Sequence, residues 1–398
     1  MTTVRGNMPE IPDDIPLPGN AVASNRPPHR VAIVQPAVLQ YRVPFFIRLI
    51  AAAREQGIHI DVFRGATPSA IRAREDSGDA TFVRRLRTRE WTVRGRALFY
   101  KSPAPVLRGR YDLVILEQAV RNIESYELLA RLGRGRLAYW GHGRTYTKDI
   151  SQLQEALKHR LTQRATWFFG YTQRGVDAVV DHGFPRERTT ILRNTIDTVA
   201  LRAELSEVSD TEVAEFSRQH DLRGSTALYL GGLDTYKRIP FLLDSAAIAH
   251  QKCSDFRLLI AGNGSDRPLV EEFIARNSWA TFLGGVRGRG KARALKAAQA
   301  VSMPGTIGLV ALDSLVAGTP IVTTAYPYHA PEFDYLADGI TAVVTVNDER
   351  SYADGLVAFL ADQPRQQEMS ERCQIEARKY TLDHMVGSFL TGIKSALS

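Results

Sequence analysis

The chain has 398 residues, which is more than one ordinary domain needs and enough for two. It is 44% hydrophobic and 24% charged, as is typical of a globular protein, and no run reaches the about 18 apolar residues of a membrane-spanning helix. The N-terminus lacks the layout of a secretory signal, and Cys253 and Cys373 lie outside any metal-binding spacing. We therefore expect a cytoplasmic protein with reduced thiols.

The formal net charge is +8, and the positive excess lies in the first half of the chain. Residues 30–197 contain 29 Lys or Arg and 16 Asp or Glu, whereas the remainder contains 22 and 27. This asymmetry favours an anionic partner, such as a phosphorylated molecule or the inner face of a membrane, contacted peripherally. A solvated, arginine-rich face explains the same counts equally well. Nucleic acid is not expected, because the sequence has no RRM, KH or helix-turn-helix pattern.

In chain order, residues 1–29 are polar and proline-rich and predict a disordered tail. A strand over 31–34, a loop over 35–42, a helix over 44–54 ended by Gly57, and a strand over 58–63 begin a parallel sheet. Further strands are predicted within 111–118, 136–143 and 167–172. Residues 64–110 are arginine-rich and carry no clear period, so they yield no prediction.

The second half starts near residues 189–197 and repeats the same pattern. Uniformly apolar strands are predicted within 225–233, 256–264, 280–286, 300–305 and 320–325, and glycine-rich loops follow most of them. This pattern predicts a doubly wound sheet with ligand-binding loops at the carboxyl ends of its strands. We expect an α/β protein with Rossmann-like domains over residues 30–195 and 196–380. A C-terminal helix over 381–398 is expected to pack back toward the first domain.

Five stretches of the second half resemble the family-4 glycosyltransferases and occur in that family's order. They are ILRNTID, YLGGLDTYKRIPFLLDSA, LLIAGNG, TFLGGV and PGTIGLVALDSLVAGTPIVTTAYPYHAPEF. The last resembles the family's acidic-x7-acidic segment followed by its Gly-x-Pro strand. The resemblance implies the GT-B fold, in which two Rossmann-like domains face each other across a cleft. It also implies retaining transfer of a sugar from a nucleotide-sugar donor to a hydroxyl acceptor, as in surface polysaccharide, glycolipid or natural-product biosynthesis.

For the donor, Gly231 and Gly232 form a turn where the backbone can approach a diphosphate. Lys237 can stabilise the leaving diphosphate, and Arg238 is a second cation beside it. Cations at the start of a helix oppose its dipole, which favours a ligand role for Lys237 over a solvated one. Arg238 is open to either interpretation. Gly262, Asn263, Val286 and Arg287 are further predicted donor contacts.

A second glycine turn comprises Gly305, Thr306, Ile307, Gly308 and Leu309, and its amides can bind phosphate or sugar hydroxyls. Asp313 follows on an apolar helix, where a carboxylate without a partner is costly, and it matches the family's ribose-binding acid.

Two family residues are replaced: the first acid of the acidic-x7-acidic segment by Gly305, and an arginine of the diphosphate loop by Gly232. Glu332 matches an acid of the family's donor pocket, and His329 lies beside it. A rearranged site and a degenerate one both fit these replacements. A degenerate GT-B protein that only binds a sugar nucleotide or a partner is therefore the alternative to an enzyme. An epimerase of this fold, which would react without an acceptor, is a further alternative.

On the acceptor side, His142 follows an apolar strand, and in this fold a first-domain histidine commonly contacts the transferred sugar. A structural histidine in a turn is equally compatible with the sequence. Tyr41, Arg42 and Gln118 lie in loops at the same sheet edge and are predicted acceptor contacts. Because no Asp-x-Asp motif is present, neither a metal nor another cofactor is expected.

Overall fold

A computed structural model describes residues 29–66, 78, 80–93, 96–146, 152–222 and 224–398. The predicted tail over 1–29 lies outside the described residues, apart from His29, which begins the first strand.

The first sheet has seven parallel strands in the order β3-β2-β1-β6-β7-β8-β9. Its strands are β1 His29–Gln35, β2 Ile58–Arg64, β3 Val83–Arg85, β6 Leu113–Glu117, β7 Leu137–Gly141, β8 Trp167–Gly170 and β9 Thr189–Ile191. An antiparallel hairpin lies between β3 and β6 and comprises β4 Thr88–Val93 and β5 Arg96–Lys101. The helices of this half are α1 Val43–Glu55, α2 Ala104–Arg108, α3 Ile123–Leu132, α4 Gln152–Thr162 and α5 Gln173–Val180.

The second sheet has six parallel strands in the order β12-β11-β10-β13-β14-β15. They are β10 Thr226–Leu230, β11 Arg257–Ala261, β12 Ala280–Gly284, β13 Ala300–Ser302, β14 Ile321–Thr324 and β15 Ala342–Thr345. The helices are α6 Thr198–Glu207, α7 Asp210–Gln219, α8 Ile239–Lys252, α9 Arg267–Arg276, α10 Gly288–Ala297, α11 Val310–Ala317, α12 Glu349–Ala361, α13 Gln363–Ala377 and, finally, α14 Leu382–Leu397. The expected pair of doubly wound α/β domains is confirmed.

The structure corrects the sequence reading at three places. The pattern of the second half was expected to start near 189–197, but Thr189–Ile191 pairs with β8 as the last strand of the first sheet, within the first domain expected over 30–195. The segment over 64–110, which gave no prediction, contains β3, the β4–β5 hairpin and α2. The sixth strand of the second sheet, β15, was missed because AVVT is only four residues long and is partly exposed.

The C-terminal helix α14 packs on the first sheet, although the chain reaches it only after crossing the second domain. Phe389 is fully buried and contacts three aromatic rings of the first domain, those of Phe45, Trp140 and Phe169. The Phe389 and Phe169 rings stack with their centroids 4.6 Å apart. Gly392 permits close contact, since a Cβ there would lie 2.4 Å from Thr190 Oγ1.

In both sheets the chain order reverses beside the first strand. β1 lies between β2 and β6, and β10 lies between β11 and β13. Ligands of open α/β sheets bind beyond the carboxyl ends of the strands at such points. The loops after these strands therefore define where a site is expected.

We predict that Phe389→Ala lowers the free energy of unfolding of the first domain by about 3–5 kcal/mol, because it leaves a cavity among aromatic rings. Urea denaturation followed by tryptophan fluorescence measures the effect. Lys394→Ala, an exposed position on the same helix, is the control. Equal stability of the two variants would show that α14 contributes nothing to the first domain.

Candidate functional site

The loops after β10 and β11 are hydrogen-bonded to each other. Gly231 N donates to Ala261 O at 3.0 Å, and Leu233 N donates to Asn263 O at 2.9 Å. A Cβ at Gly262 would lie 1.8 Å from Gly231 O, so the approach requires glycine there. The Tyr229 hydroxyl also donates to Gly232 O. Hydrogen bonds thus fix the backbone of the predicted phosphate turn at the carboxyl edge of the second sheet.

Lys237 joins this turn to the loop after β13. It ends the short 3-10 turn Thr235–Lys237 that precedes α8, and its Nζ donates to Thr306 O. An ammonium has three donors, and Thr306 takes one of them. The charge of Lys237 is therefore held between the two loops that the sequence assigns to the donor.

Gly305 stands where the family has an acid, and it packs against the backbone of Lys237. A Cβ at position 305 would lie 2.4 Å from Lys237 O and 2.8 Å from Lys237 Cα. Real Cβ atoms do not approach backbone that closely, so any side chain at 305 would displace Lys237. With the loops packed in this way, the position accepts glycine and no side chain.

The amides of the second glycine turn differ in their availability. Thr306 N donates to Tyr236 O at 3.0 Å, and Ile307 N donates to His329 Nδ1 at 3.2 Å. Burial lowers the pKa of His329 to about 4, so the ring is neutral and can accept that bond. The Gly308 and Leu309 amides donate to no backbone acceptor in the described part of the chain. They precede α11, so its N-terminal dipole is open to an anion at these two amides.

Arg238 makes contacts within the protein that the sequence did not indicate. Its backbone is left-handed with φ 56°, and its Nη1 donates to Asn347 Oδ1 at 2.6 Å and to Pro304 O at 3.2 Å. Its guanidinium also lies 3.8 Å from the Phe241 ring centroid. In this structure the residue ties the start of α8 to the loops after β13 and β15.

The sequence argument for Asp313 assumed a buried carboxylate without a partner, and this assumption was wrong. Its carboxylate is not without a partner, because Lys291 Nζ on α10 lies 2.9 Å from Asp313 Oδ1. This attraction raises the pKa of Lys291 despite the burial that opposes its charge. Oδ1 is held by Lys291, which leaves Oδ2 for a ligand.

The remaining donor residues line the neighbouring loops. Asn263 follows β11, and its Oδ1 lies 3.5 Å from Arg267 Nη1. Val286 packs against the core of the second domain. Arg287 is exposed at the start of α10.

Glu332 lies where the two domains meet. It is 4% exposed, and its Oε1 accepts a hydrogen bond from Asn194 Nδ2 in the connection between the sheets. Burial raises the pKa of Glu332, against the lowering effects of Asn194, Arg42 and Lys237. A Cβ at Gly308 would lie 4.0 Å from Glu332 Oε2, so the carboxylate lies next to the open amides.

His142 lies at the facing edge of the first sheet. Its ring centroid is 4.6 Å from that of Tyr171. The residue keeps exposed surface, yet dense protein on several sides desolvates the ring and lowers the pKa of His142 well below its usual range. The positive charges of Lys158 and Arg42 lower it further. His142 is therefore neutral at physiological pH.

Gln118 holds the His142 turn in place. Its Oε1 accepts from Gly143 N at 3.0 Å, and its Nε2 donates to Thr162 Oγ1 at 2.8 Å. Both ends of the amide are thus bonded to protein. The structure gives this predicted acceptor contact a positioning role.

Tyr41 and Arg42 extend from the first domain toward the second. Tyr41 packs against the core of the second domain. The Arg42 guanidinium is buried among aromatic rings, 5.0 Å from the Trp140 centroid and 5.4 Å from that of Tyr171. Tyr41, Tyr171 and Glu332 raise the pKa of Arg42 against the effect of burial.

Sequence reasoning missed three residues of this region. Asn194 stood within the quoted ILRNTID stretch, and its isolated polar side chain after an apolar strand was a signal. Lys291 gave none, because its pairing with Asp313 is 22 residues away in the sequence. Lys158 was not assigned to the site, because its burial depends on the fold and left no signal in the sequence.

Comparisons with known proteins find similar sequences for part of the chain. Residues 224–362 match the family model of the glycosyl transferases group 1, and they lie within the second domain. Phosphatidyl-myo-inositol mannosyltransferase of Mycobacterium leprae is 31% identical over 147 residues, which covers 34% of this chain and 37% of that protein. The Mycobacterium tuberculosis protein of the same name is 31% identical over 152 residues, which covers 35% of this chain and 38% of that protein. The match therefore spans less than two-fifths of these relatives.

Solved structures extend the similarity in fold to nearly the whole chain. A Rickettsia africae glycosyltransferase aligns with TM-score 0.69 at 11% identity, covering 93% of this chain and 99% of that one. Anabaena HepE in complex with UDP and glucose aligns with TM-score 0.65 at 15% identity, covering 92% and 100%. At these identities the alignments establish the fold, which is GT-B, as the resemblance implied.

Among the described residues, no helix is long and apolar enough to cross a bilayer. No group of three or more His, Cys, Asp or Glu side chains in this part of the chain has a metal-binding arrangement.

We predict that Gly305→Ala weakens nucleoside diphosphate binding and lowers the melting temperature, since overpacking costs about 1–3 kcal/mol. Calorimetry and thermal unfolding measure the two effects. Gly290→Ala is the matched control, because nothing lies within 4 Å of a Cβ there. If both variants bind like the wild type, the Gly305–Lys237 contact does not shape the donor site.

Proposed function

We propose that the chain is a retaining glycosyltransferase that moves a sugar from a nucleotide-sugar donor to a hydroxyl acceptor. The observation that supports this most directly is the Lys237–Thr306 bond. It joins two phosphate-type loops beside the open amides of Gly308 and Leu309, within a glycosyl transferases group 1 domain. A cation and helix-terminal amides at one place suit a leaving diphosphate.

In the proposed mechanism, the anomeric carbon is attacked from the side on which the nucleoside diphosphate leaves. The protein then needs no strong nucleophile of its own. Lys237 and the Gly308 and Leu309 amides stabilise the departing charge, and the leaving phosphate oxygen accepts the acceptor proton. Neutral His142 and the buried Glu332 orient the transferred sugar from the two domains.

No step of this mechanism requires a metal ion, because Lys237 and the amides supply the charge stabilisation. We expect transfer to continue in EDTA. Loss of activity in EDTA that magnesium or manganese restores would contradict this expectation.

The alternative of a degenerate, binding-only protein is supported by Gly305 and Gly232, which stand where the family has an acid and an arginine. In addition, Asp313 Oδ1 is bonded to Lys291 and is therefore not available to a ligand. The two proposals differ in one measurement. An enzyme releases nucleoside diphosphate in the presence of an acceptor, whereas a binding protein returns the sugar nucleotide unchanged.

A thermal-shift screen of UDP-, GDP- and dTDP-sugars identifies the donor. With that donor, we predict that Lys237→Ala reduces kcat by a factor corresponding to about 2–4 kcal/mol of transition-state stabilisation, with an unchanged fold. Lys379→Ala removes an exposed lysine that lies outside both loops and is the control. Unchanged turnover in Lys237→Ala would refute the assigned role.

We further propose that the first domain holds the acceptor, which is lipid-linked or phosphorylated, and that it contacts an anionic membrane surface. The curated relatives are named for phosphatidyl-myo-inositol, which supports this class of acceptor. The β3–β4 region exposes Arg85, Arg87 and Arg89, and Trp91 beside them is 43% exposed.

We predict weak, salt-sensitive sedimentation with anionic vesicles and none with neutral ones. Each cation near such a surface contributes about 1 kcal/mol and is screened within about 8 Å at physiological salt. Equal, negligible association with both kinds of vesicle would identify the basic half as a solvated face. A soluble acceptor would then be favoured.

A further inference from the structure

Lys158 is a buried cation without an ion-pair partner in the described part of the chain. It lies on α4 and is only 7% exposed. The acids nearest to it by their electrostatic effect are Glu155 and Glu117. Glu155 accepts hydrogen bonds from Thr145, and Glu117 accepts one from Asn122 Nδ2 at 3.0 Å. A buried charge left unpaired is costly, so its retention needs a reason.

Burial lowers the pKa of Lys158 to about 8, with Glu155 and Glu117 acting in the opposite direction. The fold therefore disfavours the charge of the Lys158 ammonium, and an anion bound beside it would stabilise that charge.

Hydrogen bonds join the helix turn that carries Lys158 to the loop that carries His142. Thr162, one helical turn further along α4, donates its hydroxyl to Lys158 O at 2.9 Å and accepts from Gln118 Nε2. Gln118 in turn accepts from Gly143 N, next to His142. The lysine is close enough to His142 to lower the pKa of its ring.

Arg42 is a second buried cation near the same imidazole. It is 6% exposed, and its guanidinium contacts aromatic faces, the Tyr41 side chain through a hydrogen bond and, at 3.7 Å, Met385 Sδ. Glu332 acts on it electrostatically, but no carboxylate of the described residues forms an ion pair with it. Two buried cations thus act on one neutral histidine, and they come from different elements.

We propose that Lys158 and Arg42 bind a phosphate group of the acceptor beside His142. This inference rests on the proposed function, because it assigns the acceptor's chemical class. A phosphate monoester carries a charge of about −1.5 to −2 at pH 7 and several strong acceptor oxygens, so it can engage two cations and an imidazole N–H together.

The melting temperature of the unliganded protein distinguishes a ligand-binding role of Lys158 from a structural one. Lys158→Met replaces a buried, unpaired ammonium with an apolar side chain of similar length. We expect the melting temperature to stay equal or rise. Arg160→Met removes an exposed charge from the same helix and is the matched control. A marked fall in the melting temperature of Lys158→Met alone would assign Lys158 to the stability of the fold and overturn the proposal.

Binding is tested by calorimetric titration of inorganic phosphate and of glycerol 1-phosphate into the full chain. We expect Lys158→Met to weaken binding about 10- to 100-fold, as the loss of a charged hydrogen bond implies, and Arg160→Met to leave it unchanged. Lys158→Arg should restore part of the affinity. The titrations are repeated in Lys237→Ala, where phosphate binding at the donor loops is weakened.

These titrations distinguish a soluble phosphate from a lipid headgroup. They also distinguish failure of this inference from failure of the proposed function. Affinity for glycerol 1-phosphate indicates a soluble acceptor, whereas Lys158-dependent binding only to phosphatidylinositol vesicles indicates a lipid headgroup. Phosphate binding equal in Lys158→Met and wild type, or absent from Lys237→Ala with both probes and vesicles, overturns the proposal. Nucleoside diphosphate binding should stay intact in Lys158→Met. Its absence in the wild type would instead refute the proposed function.

Discussion

The contact between the backbone of Lys237 and Gly305 is the constraint on which the candidate donor site depends. It brings the loop after β10 against the loop after β13, so that the Lys237 ammonium lies on Thr306 and the amides of Gly308 and Leu309 stay open. The same contact excludes any side chain at 305. The acid that the related family has at this position would not fit this packing. The charged groups at the site are therefore Lys237 and the buried Glu332, which lies beside the open amides.

The two facing edges of the domains differ in their charge. On the second domain, Lys291 compensates Asp313, and Asn194 satisfies one oxygen of Glu332. On the first domain, Lys158 and Arg42 are buried without ion pairs in the described residues. Buried charges that the fold does not compensate are commonly found where a ligand compensates them. The arrangement therefore suits anionic groups on both sides of the cleft.

Much of the fold followed from local sequence signals, because each central strand is uniformly apolar and most lead into a glycine-rich loop. Thr189–Ile191 was grouped with the pattern of the second half, because membership of a sheet depends on pairing with β8, which no local pattern encodes. The same limit applies to the site. Gly231 and Lys237 were assigned to ligand loops from local motifs, but their partners were not: Lys237 bonds to Thr306, 69 residues away, and the partners of Asp313 and Gln118 lie 22 to 44 residues away. Long-range pairings of single polar side chains left no trace in periodicity or spacing.

The central claim is that the loops over 231–238 and 305–309 bind the diphosphate of a nucleotide sugar. A crystal structure with the nucleoside diphosphate that most raises the melting temperature tests it most directly. The account predicts that phosphate oxygens lie within hydrogen-bond distance of the Gly308 and Leu309 amides and of Lys237 Nζ. A diphosphate bound away from these loops, or one that leaves Lys237 without a phosphate contact, would contradict it.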